Sequence, residues 1–402
     1  MAGRRYWIGV EFFLLTATPG FWVPVLSNVL RARGFEGVAM WAFFIIPVAA
    51  VVSPLLFGAR ADQRFRAERL LGVIMTGGAV FLFLAFWFLE HGEGPGWFLF
   101  FLGVNALVAS PAWALLNTVA LKNLEDPERQ FGSYRVWGTL GWMMAGWVVS
   151  LLALDASPKV GQIASGIRLV AGGVCFLLPA TPPGGEREFG WKNAVGLGSL
   201  RVLRDRDQGT YFLTAFLFMV PLTAFYLHTP LFLRDLGWER VAVGMSVGQM
   251  TEVAAMLVMG MVMVRLRIKW ILLGAIAFGV MRYAIFAAAG VVSSAAMVVG
   301  AVALHGVCWT FFFESGRIFV DRRVAPGVRA QSQALLTLAT GGLGGIFGTL
   351  TVGLLHRWLV LAEGAPGWTV YWLVLTGLCL GSGVLFGLGY RGVPSSSPST
   401  DQ

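Results

Sequence analysis

The sequence predicts an all-α integral membrane protein: twelve transmembrane helices in two pseudo-symmetric six-helix bundles, with both termini cytoplasmic. Three observations carry that prediction. The chain has 402 residues, 57% of them hydrophobic and 13% charged, with a mean hydropathy of +0.72, against roughly 45–50% apolar and about 25% charged in a soluble domain. Its apolar runs repeatedly reach the roughly 20 residues that carry a helix across a ~30 Å hydrocarbon core, and none alternates like an outer-membrane strand. The basic residues gather in alternate loops, which orients every span.

In order, the spans fall at about 6–30, 38–59, 70–90, 96–121, 132–154, 160–180, 209–233, 240–264, 270–291, 293–320, 330–357 and 367–390. The first is too long for the apolar region of a cleaved leader and is read as part of the mature chain. It carries Glu11 and then TATPGFW, where Pro19 and Gly20 permit a kink. The second runs into GARADQRFR, residues 58–66. There Gly58 allows helices to approach, Asp62 can sit near a helix end or pair with a neighbouring arginine, and the arginines, Arg64 among them, hold the cytoplasmic face. The fourth span contains PAWALLNT, the fifth opens with SYRVWGTLGW, and the sixth holds Arg168.

The long connection 181–208 starts with Pro and Gly and ends in a basic cluster. It divides the chain into an N-terminal bundle (1–180), a cytoplasmic linker (181–208), a C-terminal bundle (209–391) and a short polar tail (392–402). A weak internal repeat falls at equivalent places in the halves: EDPERQFG after the fourth span can be laid on VAPGVRAQ after the tenth, matching Pro127 to Pro326 and Arg129 to Arg329. The second half then reads VPLTAFYLHTPLF, SVGQMTEVAAM, MRYAIFA and HGVCWTFFFESGRIFVDRRV through its seventh to tenth spans.

With the N-terminus inside, the cytoplasmic loops hold Arg60, Arg64, Arg66 and Arg69, the linker cluster Arg201, Arg204 and Arg206, and Arg322, Arg323 and Arg329. The opposite loops keep only Arg31, Arg33, Lys159, Arg234, Arg240 and Arg357. Insertion thereby explains the net charge of +9, and no nucleic-acid partner is expected. Cys175, Cys308 and Cys379 lie inside spans without metal-like spacing, so neither a disulfide nor a metal is expected.

A charged side chain at bilayer depth costs roughly 2.5–3.5 kcal/mol, so each one needs a partner or a water-filled cavity. Glu252 lies near the centre of the eighth span, with Gln249 three residues earlier on the same face. It is either a neutral carboxyl bonding helices together or one that takes and releases a proton while bonding substrate. Arg135, with Thr139 on its face, is either a snorkelling anchor or a cation lining a cavity and able to pair with Glu252 across the halves. In the tenth span Glu314 and Arg317 are placed to neutralise each other, preceded by Trp309, Thr310 and Phe313, an aromatic face for packing or for stacking on a planar ring. Arg168, Arg282 and His305 are open to structural pairing or function.

The order Gly, small residue, Asp, then basic residues in GARADQRFR resembles the cytoplasmic signature of the major facilitator superfamily. YRVWGTLGW, SVGQMTEVAAM, MRYAIFA and FFFESGRIFVDRRVAPGVRAQSQ resemble that superfamily's nucleoside:proton symporter family, as do PAWALLNT and WVPVLSNVL. The resemblance implies a midplane site between the halves, a cytoplasmic gate at Gly58, Asp62 and Arg64, and a cavity bordered by Arg135, Thr139, Gln249 and Glu252. The family places an aromatic and then an acidic residue in the tenth helix, where this chain has Trp309 and Thr310. Glu314, one turn later, stands as a replacement. In the seventh helix, where the family has amides, the aligned positions are Thr223 and Tyr226.

The expected function is proton-coupled transport of a nucleoside or a related small polar ring-containing metabolite, with Glu252 and Glu314 handling the proton. The gradient replaces a cofactor, since no phosphate-cradling GxxxxGK[ST] motif occurs. The runner-up is a carrier of sugars or other metabolites, an exporter included. No catalytic constellation is visible and an enzyme is not expected. A monomer in the cell membrane, with lipid, protons and a small-molecule substrate as partners, completes the expectation.

Overall fold

The computed structural model describes residues 2–92, 94–183 and 196–392, excluding the side chains of 2–4, 54–64, 127–129 and 326. Among the described residues there are helices and turns but no strand. The long helices are α1 (Arg5–Ala32), α2 (Ala39–Arg64), α3 (Ala67–His91), α4 (Pro95–Asn123), α5 (Pro127–Leu151) and α6 (Lys159–Leu177). The second half holds α7 (Arg206–Leu227), α8 (Val241–Arg265), α9 (Ile268–Val292), α10 (Ala295–Arg322), α11 (Arg329–Glu363) and α12 (Ala365–Gly389).

Eleven helices among the described residues are long and apolar enough to cross a membrane. The remaining long helix is α5, whose glycines, tryptophans and Arg135 dilute its apolar content. It begins five residues before the predicted span, at Pro127 rather than 132, so Arg135 sits in its third turn instead of opening it.

Local chemistry sets the boundaries. Gly92 (φ 74°) ends α3 in the left-handed region, and Gly94 (φ 92°) precedes Pro95 at the first turn of α4. α7 stops at His228, and Pro230 starts the short helix Thr229–Asp235. Pro221 lies within α7, and its carbonyl accepts from the Tyr283 hydroxyl at 2.6 Å. Pro19 is carried inside α1, followed by a tight turn at Val23–Val25.

Large apolar side chains point outward, among them Leu257, Val264 and Leu388, as suits helices whose solvent is lipid. Inside, small residues let backbones touch. A Cβ on Gly141 would collide with the Phe13 carbonyl, fixing α5 against α1. Buried charge is handled locally: Arg168 of α6 donates to the Asn105 amide oxygen of α4, and Cys175 lies 3.4 Å from the Glu11 carboxylate.

The two halves meet closely at the end away from the termini. Trp147 donates to Ser246 at 2.9 Å, and the Ala242 and Val243 amides at the start of α8 bond Asp155 (2.7 Å) and Ser150 (3.1 Å) of the first half. Ser27 donates to the Leu227 carbonyl at 2.6 Å, and Arg31 pairs with Asp235 at 2.6 Å. The first half thus caps α8 from outside its own chain segment, since Arg240 supplies no side-chain cap.

Candidate functional site

A cavity of about 210 Å³ lies between the halves. The first half contributes Thr16 of α1, Trp113 of α4, and Arg135, Gly138, Thr139 and Trp142 of α5; the second contributes Tyr226, Gln249, Glu252, His305 and Trp309. Residues 135, 139 and 142 share one helical face, as do 249 and 252 of α8 and 305 and 309 of α10, all by three- or four-residue spacing.

α8 lies directly on α10 because Gly306 has no side chain: a Cβ there would strike the Glu252 amide nitrogen and the Gly248 carbonyl oxygen. This close crossing seats Glu252 at the cavity wall. Beside it, Gln249 is buried and donates through Nε2 to the Tyr226 hydroxyl at 2.9 Å. The rings of Tyr226 and Trp142 meet across the halves at 5.7 Å, and Arg135 lies 5.6 Å from the Trp113 ring centroid. The cavity therefore offers one carboxyl group, one guanidinium, an amide and several aromatic faces.

Arg135 pairs with Glu314 at 3.8 Å, a partner the sequence pattern does not offer; that pattern leaves it either a snorkelling anchor or a cavity cation able to pair with Glu252. The reason is a π turn at Thr310–Glu314, where the Ser315 amide reaches back five residues to the Thr310 carbonyl. Such a turn advances the helix by an extra residue and rotates the segment beyond it. Glu314 comes round towards Arg135 instead of pairing with Arg317. Thr310 becomes fully buried without a partner for its hydroxyl, and Phe313 turns into the bundle beside Phe218 while remaining 4.5 Å from the Trp309 ring centroid.

Thr223 also lies away from the cavity lining: its hydroxyl bonds the Val220 carbonyl at 2.7 Å, and its side chain lies where a Cβ on Gly348 would need to be. Gly58, Asp62 and Arg64 fall in 54–64, outside the described side chains. The structure adds Thr16, Trp113, Gly138, Trp142 and His305 to the lining. Trp142 was recoverable from its seven-residue spacing to Arg135, whereas Thr16 and Trp113 enter only through tertiary packing.

A larger cavity, about 440 Å³, lies between α2 and α11 and contains neither Glu252 nor Arg135. Its histidines are engaged with each other: His228 and His356 stack at 4.3 Å, and His228 bonds the Tyr371 hydroxyl at 2.6 Å. The convergent polar groups are in the smaller cavity.

The architecture matches solved transporters. A crystal structure of nucleoside transporter NupG superposes with TM-score 0.83 at 24% identity, covering 96% of this chain and 99% of that one. The POT family transporter PepTSo gives TM-score 0.74 at 12% identity, over 96% and 97% of the two chains. In sequence, YegT of Escherichia coli (strain K12) is 30% identical over 374 residues, 90% of this chain and 86% of that protein. The nucleoside permease NupG of the same organism is 26% identical over 91% of this chain and 90% of its own length. The family model described as "Nucleoside H+ symporter" matches residues 7–394. With these matches spanning both halves and the cavity between them, the chain belongs to the nucleoside H+ symporter family, on the major facilitator fold.

Proposed function

We propose that this protein couples inward proton flow to nucleoside uptake by alternating access, with Glu252 as the proton-carrying group. The observation that carries the reading is a membrane-embedded carboxyl group seated between the halves with an amide and aromatic faces around it. A nucleoside presents a planar base for Trp142, Trp309 or Tyr226 to stack on, and a polar rim for Gln249, Thr139 and Arg135. Stacking tolerates different bases, while hydrogen-bonded groups discriminate among them.

The coupling is differential. Ionised Glu252 in an empty cavity favours the arrangement that keeps it hydrated and near Arg135, whereas a protonated Glu252 removes that constraint and lets a loaded carrier close around its substrate. The Arg135–Glu314 pair bridges the halves near the end of the termini, and its separation belongs to the same movement. Gly58, Asp62 and Arg64 serve as the gate on that face, which the charge bias makes cytoplasmic. The contacts at Trp147, Ser150 and Asp155 support a form closed on the opposite face, in which the Arg135–Glu314 pair has still to part before the cytoplasmic side opens fully.

The test is uptake of radiolabelled nucleoside into proteoliposomes under an imposed inward proton gradient, competed by a panel of nucleosides, bases and sugars. The reading expects gradient-stimulated uptake displaced by nucleosides. Displacement by sugars alone would move the protein to the runner-up class.

A further inference from the structure

We infer that Arg282 is a positioning residue that holds His305 neutral with its proton on Nε2, making His305 a fixed hydrogen-bond donor to an acceptor on the substrate's base. The ligand in this inference rests on the nucleoside reading; the state of the histidine rests on geometry alone.

Arg282 of α9 is fully buried, and its Nη1 lies 2.7 Å from His305 Nδ1 on α10. A guanidinium has only donors and keeps its charge, so Nδ1 must accept, and the single ring proton of a neutral imidazole is left on Nε2. No carboxylate forms an ion pair with Arg282 among the described residues. Its guanidinium is held instead by aromatic faces, 5.2 Å from the Phe225 ring centroid and 4.5 Å from that of Tyr283. Phe225 also lies flat on the imidazole, 3.7 Å away and within 4° of parallel. Turning the ring over would keep the stack but put a C–H against the guanidinium and forfeit the bond, so the stack fixes the plane of the ring and the hydrogen bond fixes which edge faces Arg282.

Nε2 makes no hydrogen bond among the described residues and is not among the buried unpartnered atoms, and His305 lines the cavity between Tyr226 and Trp309. The titratable groups facing the imidazole are Arg282 from α9, Tyr226 from α7 and Glu252 from α8. A second proton on His305 would place two cations at hydrogen-bonding distance inside the bundle. His305 is therefore excluded as a proton relay, which leaves that work to Glu252. The geometry also sets the ligand class: a base whose edge carries a carbonyl oxygen or an unprotonated ring nitrogen completes the Nε2–H group, and an analogue with C–H there leaves it unpaired.

The test begins on the wild-type protein. The chain has four histidines, so ring ¹⁵N NMR assigns His305 by the signal lost in His305→Gln. The expected spectrum is a neutral Nε2–H tautomer that does not titrate between pH 5 and 8. An Nδ1–H tautomer or an imidazolium in that range overturns the proposal, whether or not any nucleoside is transported.

Arg282→Met should release the ring into mixed tautomers and titration, while Arg282→Lys, which keeps a charged donor, should restore at least part of the fixed state. Calorimetric binding of adenosine against its 1-deaza, 3-deaza and 7-deaza analogues, which replace each unprotonated ring nitrogen of the base by C–H in turn, reads the recognition. At least one analogue should bind about ten-fold more weakly to wild type, as for one lost hydrogen bond, and that difference should vanish in His305→Phe. If the tautomer is fixed as expected but the analogues bind equally, the donor role falls. If no nucleoside binds at all, the nucleoside reading falls while the NMR result still decides the role of Arg282.

Discussion

Placing a methyl group on Gly306 should damage the site from behind. The Cβ of Gly306→Ala would meet the Glu252 amide nitrogen and the Gly248 carbonyl, both backbone atoms that cannot rotate away. Ordinary contact needs about 3.5–4.0 Å, so α8 must retreat from α10 by on the order of 1 Å, and overpacking of this kind costs about 1–3 kcal/mol. Gly300→Ala is the matched control on the same helix, because nothing lies within 4 Å of its new methyl. The helix-propensity gain of replacing Gly by Ala, about 1 kcal/mol, is common to both and cancels. The two variants should therefore differ by about 1–3 kcal/mol, read as a lower unfolding temperature for Gly306→Ala in detergent. Because Glu252 and Gln249 ride on the displaced segment, nucleoside affinity should fall in Gly306→Ala and hold in Gly300→Ala. Equal stability and affinity in the two variants would refute the claim that the α8–α10 crossing seats Glu252.

Two further outcomes are expected. Trp309→Ala should weaken nucleoside binding by about 1–3 kcal/mol, the worth of one stacked base and roughly 5–150-fold in Kd, while Trp358→Ala, exposed on the outer surface, should leave calorimetric affinity unchanged. Burial raises the Asp155 carboxyl above its ordinary range, against the lowering effect of its bonds from Ala242 and Ser150. The closed form thus holds a proton on Asp155 more tightly than a form that exposes it, so acid on that side should favour closure. Spin labels at the exposed Leu152 and Glu239 should show the short-distance population rising as pH falls. In Asp155→Asn, a stand-in for the neutral acid, closure should be favoured already at neutral pH and lose its acid response.

Much of the fold was readable because the bilayer imposes a length and a composition on every span. The polar pattern within α5 and α8 was readable for a related reason: three- and four-residue spacings put Arg135 with Thr139, and Gln249 with Glu252, on one face whatever surrounds them. α10 was less legible. Its π turn breaks the regular spacing on which such reasoning depends, and so carries Thr310 and Phe313 into the bundle and Glu314 towards Arg135. The partnership of Arg282 with His305 joins two helices across 23 positions, and neither residue carries a local sign of the other. Thr223 was misleading because a hydroxyl in a helix can bond its own backbone, as it does to Val220.

The central claim is that proton and nucleoside move together because of Glu252. The direct measurement is the reverse experiment: impose a nucleoside gradient on proteoliposomes without a pH gradient and monitor internal pH with a trapped dye. Wild-type vesicles should acidify as nucleoside enters. Glu252→Gln should abolish that acidification while still exchanging labelled for unlabelled nucleoside across the membrane. Nucleoside-driven acidification that persists in Glu252→Gln would contradict the assignment.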